Sequence, residues 1–243
     1  MQKRPRRVAV RDRLVLTCKH GGNRIPREYS ALFRGAKRVL NSHRGWDPGA
    51  LDVAAFLARE FRLPLHSVTW TRLLVESNRQ PTNPRIWSRY TAELPATEQA
   101  RLLERYWWPH RRAVQESIRT VVARQRRAVH VAVHTFTPVL AGGLRNADVG
   151  LLYDSRRPGE KALCARWKEI LEELDPELRV RRNYPYRGAT DGLTTWLRRR
   201  FSERNYMGVE LELNQALLAS SRRGHVKRLI AQSLRTLFQG SGG

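Results

Sequence analysis

The chain has 243 residues, 41% of them hydrophobic, which is enough for one packed core and predicts a single domain over residues 1–243. No apolar run approaches the roughly 18–20 residues that cross a bilayer, and two cysteines, Cys18 and Cys164, are too few for a disulfide framework. Lysine and arginine number 46 against 22 acidic residues, and this formal net charge of +24 keeps polyanion or nucleic-acid binding open as an alternative function.

The basic residues are spread along the chain and form no recognition helix or RNA-binding motif, so we expect a solvated basic surface. The N-terminus, MQKRPRRVAVRDR, is followed by no apolar stretch and does not have the pattern of a secretory signal. We therefore expect a cytoplasmic protein with no membrane association. Residues 1–12 are predicted to be a flexible basic segment and residues 239–243 a flexible tail.

Apolar runs and helical periodicity predict alternating strands and helices along the chain. In chain order these are a strand at residues 13–18, a helix at 48–61, strand-like material at 65–76, a helical stretch at 97–127, a strand at 129–133, a strand at 149–153, a helix at 160–174, a helix at 192–201, a strand at 206–213 and a helix at 221–238. Asp47 is the predicted N-cap of the second element, and Pro109 should kink or divide the long helical stretch. The alternation predicts an α/β fold of three layers, with helices on both faces of a mostly parallel or mixed sheet.

Polar residues follow several of the predicted strands. His20 comes directly after residues 13–18, residues 76–79 follow the second strand, and His134 follows residues 129–133. Ligands of open α/β sheets bind at the carboxyl ends of the strands. The sequence therefore predicts one site at this edge of the sheet.

Two histidines and a carboxylate are the minimum for a metal site that leaves room for water and substrate. His20 and His134 are the predicted histidine ligands, and the carboxylate is Asp47 or Glu76, of which we favour Asp47. His43 is interpreted as a loop residue, although it could also ligate. A metal ion held in this way polarises a carbonyl group and acidifies water, as amide hydrolysis requires.

Glu212 is the candidate general base, but Glu210 lies two residues away on the same strand face and the pattern does not separate them. Arg79 has the planar fork that grips a carboxylate, and Arg145 in a glycine-containing loop is a second candidate for that role. A surface ion pair between Arg79 and Glu76 is the structural alternative. No serine or cysteine has the surroundings of a nucleophile.

Over residues 14–218 the sequence resembles the N-formylglutamate amidohydrolase family, which is similar to zinc carboxypeptidases and aspartoacylases. The matching motifs are HGGNRIP at 20–26, HRGWDPGA at 43–50, LVESNR at 74–79, VHTF at 133–136 and ELELNQ at 210–215. Each motif is weak alone, but their order and spacing make chance agreement implausible.

The resemblance implies a zinc-exopeptidase-like fold with His20 and His134 as ligands of one Zn²⁺ ion. Asn23 stands where the carboxypeptidase relatives have a glutamate ligand, so the third ligand is assigned to Asp47. The pair Asn78 and Arg79 matches the pair that holds the substrate carboxylate in the relatives.

The resemblance also implies that Glu212 is the general base, whereas Glu76 replaces the usual aspartate and is interpreted as support for Arg79 or as a ligand. The implied function is hydrolysis of an N-acylated amino acid such as N-formylglutamate by a metal-activated water. The predicted partner is therefore a small molecule. A nucleic-acid-binding protein and a metallopeptidase acting on a peptide or peptidoglycan fragment are the alternatives.

Overall fold

The computed structural model describes residues 12–239 of the chain, so the predictions for residues 1–12 and 239–243 lie outside it except at residues 12 and 239. The strands are β1 Asp12–Cys18, β2 Leu65–Ser67, β3 Arg127–Phe136, β4 Val139–Leu140, β5 Gly143–Leu144, β6 Val149–Leu152, β7 Val180–Arg182 and β8 Tyr206–Asn214. The α-helices are α1 Lys37–Leu40, α2 Ala50–Phe61, α3 Ala96–Leu102, α4 Trp108–Ala123, α5 Pro158–Leu174, α6 Leu193–Arg198, α7 Gln215–Ala219 and α8 Arg223–Gln239. Short 3₁₀ helices occupy Arg27–Phe33 and Pro84–Ile86.

Six strands form a mixed sheet in the order β2-β1-β3-β8-β6-β7. The first four are parallel to one another, and β6 runs antiparallel to β8 and parallel to β7. The central strands β3 and β8 are buried along almost their whole length, which explains the many apolar and β-branched residues in both. The strands β4 and β5 form a separate exposed hairpin.

Helices cover both faces of the sheet, and this confirms the α/β class and the three layers expected from the sequence. One face packs against α2, α5 and α8 around a large apolar cluster, and the other packs against α4 and α6. Cys18 and Cys164 are buried free thiols in the larger cluster. Within residues 12–239, no helix is long and apolar enough to cross a membrane.

The prediction of a strand through residues 65–76 was wrong beyond Ser67. The strand β2 ends there, and the chain then turns, with the Leu74 N–H donating to the Thr71 carbonyl oxygen. The Glu76 N–H donates to the Ile86 carbonyl oxygen, so a loop partner replaces the neighbouring strand. Glu76, Asn78 and Arg79 therefore reach the site from a loop, which packs on a second apolar cluster.

The prediction of Asp47 as a helix N-cap was also wrong. The helix α2 begins at Ala50, and its N-cap is Gly49 in the left-handed conformation, with φ 85°. A Cβ at Gly49 would lie 2.9 Å from Leu218, so glycine suits both the backbone and the packing here. The Asp47 carboxylate is left available for contacts outside the helix.

The long helical stretch is divided as Pro109 predicts, although by an unexpected device. A π-helical turn, Leu103–Trp107, joins α3 to α4, and Pro109 lies in the first turn of α4. Proline has no N–H to donate, and the change of helix type before it accommodates the missing hydrogen bond. The turn also points the Trp107 indole at the Arg79 carbonyl oxygen, to which its Nε1 donates at 2.9 Å.

Candidate functional site

The parallel strands bring the predicted polar residues to one edge of the sheet. His20 follows β1, and His134 of β3 lies in register with Glu212 of β8. The Asp47 N–H donates to the His20 carbonyl oxygen at 2.9 Å, which ties the segment before α2 to the end of β1. Residues far apart in the sequence are therefore neighbours in space.

His20, Asp47 and His134, here called the ligand cluster, are all buried. Nδ1 of His134 lies 2.7 Å and Nδ1 of His20 lies 3.3 Å from Oδ2 of Asp47. The two imidazole rings are 5.1 Å apart at an angle of 64°. One ligand atom from each residue lies within 4.8 Å of the others.

Burial and neighbouring charges shift the pKa values of two residues of the ligand cluster, Asp47 and His134. Burial opposes ionisation of Asp47, but Arg72 and the two histidines outweigh it and hold the pKa of this carboxyl well below its usual range. Burial lowers the pKa of His134, and the nearby Lys19 ammonium lowers it further. A neutral His134 that donates from Nδ1 to Asp47 has a lone pair on Nε2, an atom that is buried without a hydrogen-bond partner.

Arg72 is a central residue of the site that the sequence analysis missed. Its guanidinium contacts Asp47 Oδ1 at 3.0 Å and Glu76 Oε2 at 2.9 Å, and one nitrogen lies 2.5 Å from His20 Nδ1. Burial favours a neutral Glu76, but Arg72 and His20 outweigh burial and lower its pKa. The four-residue spacing between Arg72 and Glu76 was the available signal, but such spacings are common on protein surfaces.

The structure separates the two carboxylates of β8. Glu210 is paired with the fully buried Lys19, whose Nζ lies 3.1 Å from Oε1, and Thr194 donates to the same oxygen. Within residues 12–239, no cation forms an ion pair with Glu212, and its buried Oε2 has no hydrogen-bond partner. Burial raises the pKa of Glu212 well above its usual value, and the negative charges of Asp47 and Glu210 raise it further. Glu212 is therefore the carboxyl group that remains available to a ligand.

Asn78 and Arg79 lie in the loop beside the ligand cluster. Asn78 Oδ1 accepts a hydrogen bond from the Leu193 N–H at 2.9 Å, and Arg79 Nη1 donates to the Asp191 carbonyl oxygen at 2.8 Å. The alternative of an Arg79–Glu76 ion pair is not found among the described residues, because Glu76 instead bonds Arg72, His20 and the Asn78 N–H.

Arg145 lies close enough to His43 to affect its pKa. Its Nη2 donates to the Tyr186 hydroxyl at 3.0 Å, while Nη1 is buried without a partner. Burial lowers the pKa of His43, and Arg145, Arg72 and Arg44 lower it further. His43 therefore lies in a positive potential near the ligand cluster and makes no side-chain bond to that cluster in the described part of the chain.

The residues present fit a single divalent metal ion. Two imidazoles and a carboxylate form a donor set typical of zinc and related ions. The three donors converge, and the orphaned lone pair of His134 Nε2 lacks any protein partner. Such unsatisfied buried atoms are rare in folded proteins and often mark a ligand position.

Comparison with known proteins identifies the family and the fold. The family model described as N-formylglutamate amidohydrolase matches residues 12–219. A solved gene product from Agrobacterium tumefaciens is 29% identical with a TM-score of 0.74, over 92% of this chain and 91% of that chain. An N-formylglutamate amidohydrolase from Ralstonia eutropha has the same fold at 20% identity, with a TM-score of 0.66 over 94% of this chain and 95% of that one. No curated protein sequence matches the chain significantly.

Proposed function

The chain belongs to the N-formylglutamate amidohydrolase family, and we propose that it hydrolyses the amide bond of a small N-acyl amino acid with one zinc ion held by His20, Asp47 and His134. The family supports an amidohydrolase activity in general. The observation that carries the finer proposal is the convergence of three buried ligating side chains beside the unpaired Glu212.

When bound, the metal ion supplies a Lewis acid that polarises the acyl carbonyl and acidifies a water molecule. Asp47 Oδ2 lies 2.7 Å from His134 Nδ1 and 3.3 Å from His20 Nδ1, so this carboxylate would hold the two rings close together around one ion. Arg72 pairs with Asp47 and Glu76 and also contacts both ring nitrogens of His20, so it would hold these three side chains in place.

Glu212 is proposed as the proton carrier. Hydrolysis adds the oxygen of water to the acyl carbon and breaks the C–N bond, and one proton moves from water to the departing nitrogen. A carboxyl group whose pKa is raised by burial and by Asp47 binds that proton long enough to deliver it. Glu210 is not suited to this task, because Lys19 holds it as a paired carboxylate.

Asn78 and Arg79 are proposed to hold the carboxylate of the amino-acid part. The Oδ1 of Asn78 is occupied by the Leu193 N–H, which orients the amide so that its Nδ2 group can donate to a ligand. Arg79 uses one nitrogen on Asp191 and has further N–H groups for a carboxylate. Arg145 is proposed as a further contact.

The proposal is tested first by metal content. Protein purified without a metal-affinity tag is measured by inductively coupled plasma mass spectrometry, for the wild type and for His20→Ala and His134→Ala. About one zinc per chain is expected in the wild type, with loss in both variants after circular dichroism has confirmed that they fold. A wild type that neither retains metal nor takes up added zinc would contradict the proposal.

Glu212→Gln separates catalysis from metal binding. This variant should retain the metal yet hydrolyse N-formylglutamate at least about 100-fold more slowly, because general acid–base catalysis contributes that much. Glu116→Gln, an exposed position on α4, is the matched control and should have wild-type activity. Equal rates for Glu212→Gln and the wild type would remove Glu212 from the mechanism.

A further inference from the structure

A basic groove leads away from the ligand cluster. Two cavities of about 370 Å³ and 540 Å³ adjoin, since both are lined by His43, Arg44 and Arg89. Arg72 and Glu76 line the inner cavity, and both side chains contact His20. Arg72 and Glu76 therefore lie between the groove and the ligand cluster, whose three residues are absent from the lining of both cavities.

Six arginines line this passage, here called the arginine groove. They are Arg34, Arg38, Arg44, Arg72, Arg85 and Arg89. Glu76 is the only acidic residue of the lining, and it is neutralised by Arg72. Among residues 12–239, no carboxylate forms an ion pair with the other five arginines.

This surplus of positive charge points to an anionic ligand. Five of these arginines, all except Arg72, are exposed, so water and salt screen much of their mutual repulsion. A carboxylate bound among them would still gain charge-assisted hydrogen bonds. The lowered pKa of His43, due to burial and then to Arg145, Arg72 and Arg44, is consistent with a positive potential at the inner end of the groove. The aromatic rings of Trp87 and Tyr90 line the groove as well and can pack against an aliphatic chain.

The arginine groove and the Asn78–Arg79 loop lie on different sides of Glu76. Oε2 of Glu76 accepts from Arg72, which lines the groove, whereas Oε1 accepts from the Asn78 N–H. Asn78 and Arg79 bond the segment at residues 191–193 and do not line either cavity. The arginines of the groove and Arg79 of the loop are therefore two separate groups of cationic side chains near the ligand cluster.

We propose that the arginine groove binds a carboxylate at the far end of the substrate's acyl group, so that the substrate is an amino acid N-acylated by a dicarboxylic acid. This inference rests on the proposed function, which assigns the amino-acid carboxylate to Asn78 and Arg79 and thus leaves the groove to the acyl part. Water adds to the acyl carbon and the amine leaves with a proton, giving a free dicarboxylate and an amino acid. The inner cavity, at about 370 Å³, is large enough for a small-molecule ligand. A formyl group would leave the groove unfilled.

The main test compares two acyl groups of equal length, one with and one without a terminal carboxylate. N-glutaryl-glutamate carries the terminal carboxylate, N-pentanoyl-glutamate lacks it, and N-formylglutamate carries the smallest acyl group. We expect kcat/KM for the glutaryl compound to exceed that for the pentanoyl compound by at least about tenfold, as one charge-assisted contact would give. Equal values for the two compounds would overturn the inference.

Variants locate the effect in the groove. The double variant Arg44→Gln/Arg89→Gln should lose the preference for the glutaryl compound, measured as the ratio of the two kcat/KM values within the variant. Arg119→Gln, an exposed arginine on α4 outside the groove, should keep the wild-type ratio. A preference that survives in the double variant would contradict the assignment.

A binding measurement distinguishes this inference from the proposed function. Calorimetric titration of zinc-loaded Glu212→Gln with the glutaryl and pentanoyl compounds reports the preference even if no N-acyl amino acid is hydrolysed by the wild type. Tighter binding of the glutaryl compound without any turnover would refute the proposed reaction and retain the carboxylate site. Salt-steep binding of single-stranded DNA that requires Arg44 and Arg89, with no glutaryl preference, would instead make the groove a nucleic-acid surface and refute the inference.

Discussion

Lys19→Met tests the buried ion pair behind the ligand cluster. The Lys19 side chain is fully buried and its ammonium lies 3.1 Å from Glu210, so the substitution leaves a buried carboxylate without its cation. Breaking such a pair from one side costs about 3–5 kcal/mol, because the remaining charge is neither solvated nor paired. In a domain of this size each kcal/mol lowers Tm by about 2–4 °C, so we expect a fall of roughly 10 °C in differential scanning calorimetry.

The double variant Lys19→Met/Glu210→Gln checks the physical reason. Removing both charges abolishes the unpaired carboxylate, and the amide oxygen introduced by Glu210→Gln can still accept the hydrogen bond that Thr194 donates. We therefore expect the double variant to regain most of the lost free energy of unfolding. A double variant no more stable than Lys19→Met, or a single variant within about 1 kcal/mol of the wild type, would refute the reasoning.

Acid should weaken the same interaction. Burial favours the protonated form of Glu210, but Lys19 and His134 outweigh it and lower the pKa from 4.5 to about 2. Because the folded-state pKa is below the unfolded value, this group stabilises the protein above pH 4.5 and loses that contribution as the pH falls towards 2. Denaturant titrations over this window should show a steeper loss of stability in the wild type than in Lys19→Met/Glu210→Gln, and parallel curves would contradict the assignment.

Two further substitutions test the close packing around Gly150 and the support of the loop that carries Asn78 and Arg79. Gly150→Ala should lower the free energy of unfolding by about 1–3 kcal/mol, because its Cβ would lie 2.1 Å from the Tyr184 carbonyl oxygen. The control Gly143→Ala, whose Cβ would lie 3.5 Å from the Leu140 carbonyl oxygen, should change stability much less, and equal losses would argue against the steric explanation. Arg111→Met removes the buried donor to the Arg79 carbonyl oxygen and should raise KM for N-formylglutamate about tenfold, with a smaller effect on kcat. An unchanged KM in steady-state kinetics would show that the loop does not depend on this bond.

The strands that carry the site were predictable from local pattern. Residues 13–18, 129–133 and 206–213 are mostly apolar or β-branched, and they lie within β1, β3 and β8. A parallel sheet brings the carboxyl ends of such strands to one edge, so His20 and His134 were expected to meet. The family and the α/β class were confirmed, whereas the roles assigned to individual site residues remain predictions.

Local pattern failed where a partner distant in sequence determines the structure. Residues 72–76 resemble a strand in sequence, but the Glu76 N–H donates to Ile86 at the end of a 3₁₀ helix, because β2 pairs with β1 only through Ser67. Asp47 has the residue type and position of an N-cap, but Gly49 begins the helix and the carboxylate faces the two histidines.

The sequence alone determined the order of the longer strands and helices, the family, and the group of polar residues at the strand ends, because periodicity and motif spacing are local properties of the chain. It did not indicate the short elements β4, β5, β7, α1 and α7. It left Glu210 and Glu212 equivalent, since they share one face of one strand. The folded chain distinguishes them, because Lys19, which follows β1, pairs with Glu210, whereas no cation in the described part of the chain pairs with Glu212. Arg72 and the arginine groove were also unpredictable from local sequence, because the segments that form them meet only after folding. The electrostatic interaction of a charged side chain depends on which charges lie near it in space.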